Sequence, residues 1–443
     1  MQGFPAGTTH ILAAVNKGSA MLEGSAALQA QLNALMPEFF PMHQHKFAPQ
    51  PDLPGLKLLS GENLMRIHLR PKREEPLDYR ETRPVFDSDS IKSGLRQAHP
   101  QVFQALEQAR EGSTSLRSNV PPCIAAAGRE ELEVVFLGTG AALPSKYRNV
   151  TATYLNFFGK GGMLLDCGEG SYGQLRRRYG TAADDVIARL RCIWISHIHA
   201  DHHAGLSRVL AARTALLGAG AAPLLVIGPQ PLRRVLAAVH RLEPMAFCFV
   251  ESSYTTASAW SQGVDLAGPQ AAVQTAREAL GLVRLESFPV QHCAHAYGCV
   301  LESAAGWKLA LSGDTRPCPA VAEAARDATI LIHEATFEST RKEGLSEYEF
   351  EQEALAKRHS MTHEAVQTGK QAGAYRTILT HFSQRYPKIP VVDASFLDST
   401  CIAFDLMSVN LKDLPDLPRA IPALQALFQI GGDSGEPNAS INA

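Results

Sequence analysis

From residue 133 onward, short apolar runs alternate with glycine-rich or polar turns. EVVFLGTG (133–140), TATYLNFF (151–158), GMLLDCGEG (162–170) and RCIWIS (191–196) each predict a strand running into a turn. PLLVIGP (223–229), LVRLESFPVQHC (282–293), WKLALSGD (307–314), ATILIHEA (328–335) and RTILTHFS (376–383) repeat the pattern. Between them, LSRVLAARTALL (206–217), QPLRRVLAAVHRL (230–242), SEYEFEQEALAKR (346–358) and MTHEAVQTGKQAGA (361–374) read as helices. The stretch 243–281 is less regular. Strands alternating with helices, and acids and histidines gathered at strand C-termini, predict an α/β protein with a site along one sheet edge.

The first 120 residues differ. They mix polar stretches with turn formers such as FAPQPDLPG (47–55). LMRIHLRPKREE (64–75) predicts one strand and a charged exit, and QVFQALEQAREG (101–112) an amphipathic helix stopped by glycine. PP at 121–122 and GREE at 128–131 read as a linker. These shifts divide the chain into 1–120, a main unit over 131–412, and a Pro/Leu-rich tail over 413–443 whose polar end is expected to be disordered.

Composition narrows the function classes. The chain has 443 residues, of which 45% are hydrophobic, enough for a sizeable core and against wholesale disorder. Its net charge of −2 excludes a globally basic nucleic-acid binder and leaves room for a local basic groove. No apolar run approaches the ~20 residues that span a bilayer, so no membrane partner is expected. The eight cysteines form no C-x-x-C pair and are read as reduced thiols of an intracellular protein.

The sharpest chemistry is His197-Ile198-His199-Ala200-Asp201-His202, four potential ligands in six residues after the apolar run CIWIS. A loop can turn several of these side chains to one point, whereas a helix sends residues two apart to opposite sides. Imidazole and carboxylate together suit Zn²⁺ or a similar first-row ion. A single tetrahedral ion takes about four ligands. His292, Asp314 and His381 follow at other strand ends, and the excess predicts two ions, with Asp314 suited to bridge them. His203 is expected to be a surface or supporting residue. His333 precedes Glu334 on a strand, where neighbours face opposite ways, and is given a packing or supporting role.

His197-x-His199-x-Asp201-His202 resembles the signature of the metallo-β-lactamase superfamily. With FLGTGAALPSKYRN (136–149), LLDCGEG (164–170), SGDT (312–315), IHEATFE (332–338), RHS (358–360) and THFSQRY (380–386), the chain resembles the tRNase Z (ribonuclease Z) family over about 133–390. The likeness is greatest to the catalytic C-terminal half of its long eukaryotic form. LMPEFFP (35–41) and HLRPKRE (68–74) resemble the end of the non-catalytic N-terminal half. Most of that half, including the arm that grips the tRNA body, has no counterpart in the sequence. The resemblance implies an αββα metallo-β-lactamase sandwich, with 1–120 a partial N-terminal region, and two Zn²⁺ per chain, Mn²⁺ or another divalent ion being an alternative. One ion falls to His197, His199, His292 and Asp314, the other to Asp201, His202, Asp314 and His381.

The implied reaction is hydrolysis of precursor tRNA 3′ of the discriminator base by a two-metal-activated hydroxide. It leaves a 3′-OH on the tRNA and a 5′-phosphate on the trailer. Asp201 is expected to orient or deprotonate the water, and His359, held by Glu334, to protonate the leaving oxygen. Read locally, Glu334 is a strand-end carboxylate and His359 a helix-boundary residue; the HEATF and HS motifs give them their roles. Lys146 and Arg148 are expected to hold phosphates, and Asn149 to bond a base or order its loop. The resemblance implies action in nucleus or mitochondrion, and pairing with an N-terminal half or a second copy is a further expectation. The rival readings are a small-molecule phosphodiesterase on the same metal core, and a tRNA-binding half that needs an N-terminal partner.

Overall fold

The computed structural model describes residues 9–12, 23–42, 57–60, 66–68, 77–78, 80, 88–111, 119–145, 147–218, 220, 222–262, 268–338, 347–384 and 399–429. Two large sheets face each other. In the first, seven strands lie in the order Phe247–Glu251, Leu224–Gly228, Leu190–Trp194, Gly162–Leu165, Ala152–Asn156, Glu133–Gly138, Ser408–Asn410. In the second, six strands follow chain order: Leu282–Pro289, Tyr297–Ser303, Lys308–Leu311, Ile330–Glu334, Arg376–Thr380, Thr400–Ile402. Each sheet has a parallel part and an antiparallel part, and helices carry the crossovers of the parallel strands up to Arg376–Thr380.

Side-chain alternation sorts the strand residues into layers. Val134, Phe136, Met163, Leu165, Cys192, Trp194, Leu309, Leu311, Ile330 and Ile332 point between the sheets. Their neighbours Val135, Leu137, Leu164, Ile193 and Ile195 point outward, under the helices Ser171–Tyr179, Leu206–Leu217 and Leu232–His240. Ala310 and Leu331 do the same under Pro319–Ala324 and the segment ending at Ala372. The result is the expected αββα sandwich. Helices on both outer faces explain why the strands read as continuous apolar runs rather than as alternation. Trp194, fully buried, donates its indole N–H to Ser287 Oγ at 2.9 Å, tying one sheet to the other. Truncating a core aromatic of this size typically costs roughly 3–5 kcal/mol.

Two segments are more ordered than the sequence reading expects. Within 243–281 lie the edge strand Phe247–Glu251 and the helix Pro269–Leu280. The helix is framed by Pro269 at its start and Gly281, at φ 70, at its end, and it buries Val273, Ala276 and Leu280. In the tail, Ala420–Gln429 is a helix whose Leu424 and Leu427 belong to the inter-sheet core and which packs on Pro100–Glu111. Pro422 sits in its first turn, where the missing N–H costs nothing. The LMPEFFP segment also packs inward: Met36, Phe39 and Phe40 are buried, and Phe39 O accepts from Ser408 N at 2.8 Å. Of 64–75, only Arg66–Ile67 is a described strand, paired with Leu77–Asp78. Residues 430–443 lie outside the described residues. Among the described residues no helix is long and apolar enough to cross a membrane, and all eight cysteines are free.

Candidate metal centre

The strands of both sheets release their chemical residues at one rim. From the first sheet, Gly162–Leu165 leads into Asp166, and Leu190–Trp194 into Ser196 and the 197–202 loop. From the second come His292, Asp314, Glu334 and His381, after or at the ends of Leu282–Pro289, Lys308–Leu311, Ile330–Glu334 and Arg376–Thr380. The two loops of the first sheet lie in direct contact. Cys167 N donates to His202 O at 2.8 Å, and Gly205 N to Cys167 O at 2.9 Å. A Cβ at Gly168 would stand 2.1 Å from Asp201 O, so only glycine admits this approach. Ala142, Asp166, Arg358 and His381 adopt left-handed backbone, with φ of 65°, 58°, 57° and 61°. Such backbone costs free energy for non-glycine residues and recurs where a site over-determines the chain.

Asp314 is the hub. Its Oδ2 lies 3.2 Å from His202 Nε2, 3.4 Å from His381 Nε2, 3.6 Å from His197 Nε2 and 3.8 Å from His292 Nε2. His199 Nδ1 lies 2.9 Å from His197 Nε2 and 3.1 Å from His292 Nε2. Asp201 Oδ2 stands 3.4 Å from His381 Nε2 and 3.6 Å from His202 Nε2, and accepts the Ala142 N–H at 2.7 Å. The seven residues expected as ligands are thus brought into one pocket, in which His197, His202, His292, Asp314 and His381 are buried.

Bonds on the outer side of each ring set its tautomer. His292 Nδ1 faces the Arg358 carbonyl at 3.0 Å, so it carries the hydrogen and leaves Nε2 with a lone pair. His202 Nδ1 faces Asp166 Oδ2 at 2.8 Å with the same consequence. His381 Nδ1 meets Thr336 Oγ1 at 2.8 Å, while that hydroxyl donates to Glu334 Oε2 at 2.6 Å; the imidazole is therefore the donor. Lone pairs on His202 and His381 then face each other across 3.2 Å. Such a pocket is repulsive unless it holds positive charge. In the protein alone that charge is a proton: burial opposes it, yet Asp314, Asp166 and Asp201 push His202 well above the ordinary histidine range. His197, His199 and His292 are lowered by burial and stay neutral donors. Burial would raise Asp314, but His202, His381 and His197 outweigh it and hold the carboxyl well below its usual range. Neutral imidazoles and ionised carboxylates converging on one point are the donor set of a divalent cation. The residues fit the ions expected of them, in groups such as His197–His202–Asp314 and Asp201–His202–His381.

Glu334 and His359 sit beside this pocket. His359 Nδ1 is 2.9 Å from Glu334 Oε1, which also accepts from Thr315 N at 2.9 Å. Burial would lower His359, but the Glu334 carboxylate beside it pushes the imidazole up to about 9. His333 points the other way: fully buried, its Nδ1 turned to the Glu334 carbonyl at 2.7 Å. His203 rests against Ile198 O at 3.0 Å. Ser196 and Thr336, to which the sequence assigns no role, each tie a candidate ligand to a supporting carboxylate. Ser196 Oγ touches Asp166 at 2.9 Å and His197 at 3.0 Å; Thr336 Oγ1 links Glu334 and His381. Both lie within the quoted motifs, which is the signal that marks them. Cys293 was likewise unassigned, and it groups with His197, His199 and His292.

The loop 143–149 corrects one expectation. Arg148 does not reach a phosphate: it is 4% exposed. Its guanidinium is sandwiched between Phe382 and Phe404, 4.6 and 4.8 Å from the ring centroids, and donates to Thr139 Oγ1 at 2.6 Å and Ala403 O at 2.8 Å. Beneath it Asp405 accepts from Thr139 N, Asn149 N and Gln174 Nε2. Arginine stacks in aromatic slots that lysine cannot fill, and here it anchors the loop next to Phe382, the neighbour of His381. Asn149 is half-buried and donates Nδ2 to Glu169 O at 2.8 Å, which orders the adjoining turn. Lys146, Arg385 and Tyr386 lie outside the described residues. Arg148→Ala is expected to lower the free energy of unfolding by roughly 2–4 kcal/mol, since stacking and buried hydrogen bonds go together. Urea denaturation checks this; an unchanged midpoint would return Arg148 to a surface role.

A family model described as the β-lactamase superfamily domain matches residues 163–382. The mitochondrial tRNase Z TRZ3 of Arabidopsis thaliana is 40% identical, over 95% of this chain and 55% of that protein. The chain is a tRNase Z homologue of the β-lactamase superfamily. The zinc phosphodiesterase ELAC protein 2 of Homo sapiens is 36% identical, over 97% of this chain and 50% of its own length. The chain therefore spans about half the length of the curated tRNase Z relatives it matches. Among solved structures, a long form RNase Z from yeast superposes with a TM-score of 0.65 at 22% identity, over 91% of this chain and 62% of that one. This likeness fixes the sandwich fold.

Proposed function

We propose that the protein is a tRNA 3′-processing endoribonuclease that hydrolyses precursor tRNA 3′ of the discriminator base and releases the 3′ trailer. The observation that carries this reading is the convergence on Asp314 of donors from both sheets, beside a pair formed by the buried Glu334 and His359. The tRNase Z names of its relatives supply the substrate class. We propose that His197, His199, His292 and Asp314 hold one Zn²⁺, and Asp201, His202, Asp314 and His381 a second. Two such ions stabilise charge on the phosphodiester and favour the deprotonated form of the attacking water.

The chain's own residues do the rest. Asp201, its Oδ2 fixed by the Ala142 N–H, orients the water and accepts its proton. His359 keeps Nδ1 on Glu334 and holds a proton at Nε2 for the leaving O3′ of the tRNA. A sugar alkoxide is a poor leaving group, so this proton matters. The products are a 3′-OH on the tRNA and a 5′-phosphate on the trailer. Lys146 and Asn149 are proposed to meet the acceptor end, with Tyr147 beside them as a stacking surface. The proposed catalytic unit runs over 131–412, preceded by a partial N-terminal region in 1–120. Its proposed compartment is the mitochondrion, on the names of the two plant relatives.

The test is a single-turnover assay on a precursor tRNA with mapped product ends, run with Zn²⁺ and with Mn²⁺. Cleavage at the discriminator, abolished by a chelator and restored by added ion, is expected. Turnover of bis(p-nitrophenyl) phosphate alone would make the protein a small-molecule phosphodiesterase. Binding of tRNA without cutting, unrelieved by the N-terminal half of a long-form relative, would make it a binding module.

A further inference from the structure

His359 stands on a short loop, not on a strand, yet the acid role asks it to keep a fixed place. The loop's fastenings come from residues flanking the candidate ligands. Arg358, in left-handed backbone, donates Nη1 to the His292 carbonyl at 2.6 Å, while its own carbonyl faces His292 Nδ1 at 3.0 Å. Ser360 Oγ donates to Thr315 O at 2.6 Å. Between them, Arg316 Nη1 donates to the carbonyl of His359 itself at 2.8 Å. The same guanidinium makes a two-pronged pair with Glu364, Nη1 to Oε2 at 2.8 Å and Nη2 to Oε1 at 2.5 Å. Glu364 Oε2 also accepts the Met361 N–H at 2.8 Å, which caps the helix Thr362–Ala372. Arg316 is held at its own root, its N donating to Gln291 O at 2.9 Å. Its side chain is 16% exposed and that of Glu364 18%, so the pair is largely shielded from water.

We propose that Arg316, clamped by Glu364, is a positioning residue that fixes the main chain at His359 and so aims the imidazole at the leaving oxygen. Arg316 lies two residues beyond Asp314 on the same loop. The proton donor and the proposed bridging carboxylate are thereby referenced to one stretch of backbone. A planar fork is needed, because three acceptors on two segments must be met at once; a lysine offers a point charge and cannot span them. The inference rests on the reading of His359 as the acid. It predicts that loosening the clamp harms reactions in proportion to how much their leaving group needs a proton.

The experiment compares Arg316→Gln with the wild type, both loaded with Zn²⁺, on two substrates. On precursor tRNA, whose leaving oxygen is an alkoxide, the single-turnover rate is expected to fall on the order of 10–100-fold. On bis(p-nitrophenyl) phosphate, whose leaving group departs without a proton, turnover and zinc content stay at the wild-type level. Arg316→Lys restores little of the loss. Equal losses on both substrates, or no loss on tRNA, would overturn the proposal. If Arg316→Gln does not fold, Glu364→Gln, which keeps an acceptor for Arg316 and for Met361, carries the same comparison with a smaller loss. A readout independent of tRNA is the ring spectrum of ¹⁵N-labelled His359. Its Nδ1–H signal should shift in the variant, and an unmoved signal sinks the clamp. A wild type that never cuts precursor tRNA sinks instead the function proposed above, and the ring spectrum still decides the role of Arg316.

Discussion

Asp314→Ala is expected to strip bound zinc from the protein and to lower single-turnover cleavage on the order of a thousand-fold or more. The reason is geometric. Asp314 Oδ2 lies within 3.2–3.8 Å of imidazole nitrogens of His202, His381, His197, His292 and His359, contributed by loops of both sheets. Removing it leaves no carboxylate between the two proposed ligand groups, and the cation charges then repel without an intervening anion. Asp314→Asn keeps the shape and one acceptor oxygen but not the charge, so zinc content should fall between those of Ala and wild type. Elemental analysis after gel filtration measures it. Full metal content in Asp314→Ala would remove Asp314 from the bridging position.

His359→Ala should separate the two effects: keep its zinc and lose rate. A general acid is worth typically 10²–10⁴-fold, and the loss should show on precursor tRNA far more than on a nitrophenyl ester. The pH profile supplies the sign. The acid must be protonated, so the wild-type rate falls as pH rises through the His359 titration. That lies at about 9 in the protein alone, lifted by Glu334 against the effect of burial, and cations nearby bring it lower by repelling the proton. The variant's profile should lack this alkaline limb. Wild-type single-turnover rates in His359→Ala would give the acid role to another group.

The sandwich and the pocket were legible in the sequence for a common reason. Strands covered on both faces are largely apolar, so the polar residues just past each run mark the strand's exit, and Asp166, His197, Asp314 and His381 all stand within three residues of such an exit. What could not be read was where side chains turn after the exit. Arg148 has the composition of a phosphate contact and lies in a basic loop. Only tertiary packing, the approach of Phe382 and Phe404 from distant segments, pulls it inside. The helix Ala420–Gln429 is not legible because it follows a Pro/Leu-rich stretch and carries Pro422 in its first turn, a pattern that reads as irregular chain until its packing on Pro100–Glu111 is seen. Arg316 was missed because its partners, His359 O and Glu364, are more than 40 positions away.

The pocket is assembled half from one sheet and half from the other, and this makes an ion seated there a rivet through two plates. Its binding free energy is also energy of sheet apposition, since ligand that favours only the joined form stabilises that form by mass action. Spacing between the plates and affinity for the ion become one property. A packing defect deep between the sheets, far from any ligand, is thereby felt at the rim as a looser grip on the metal.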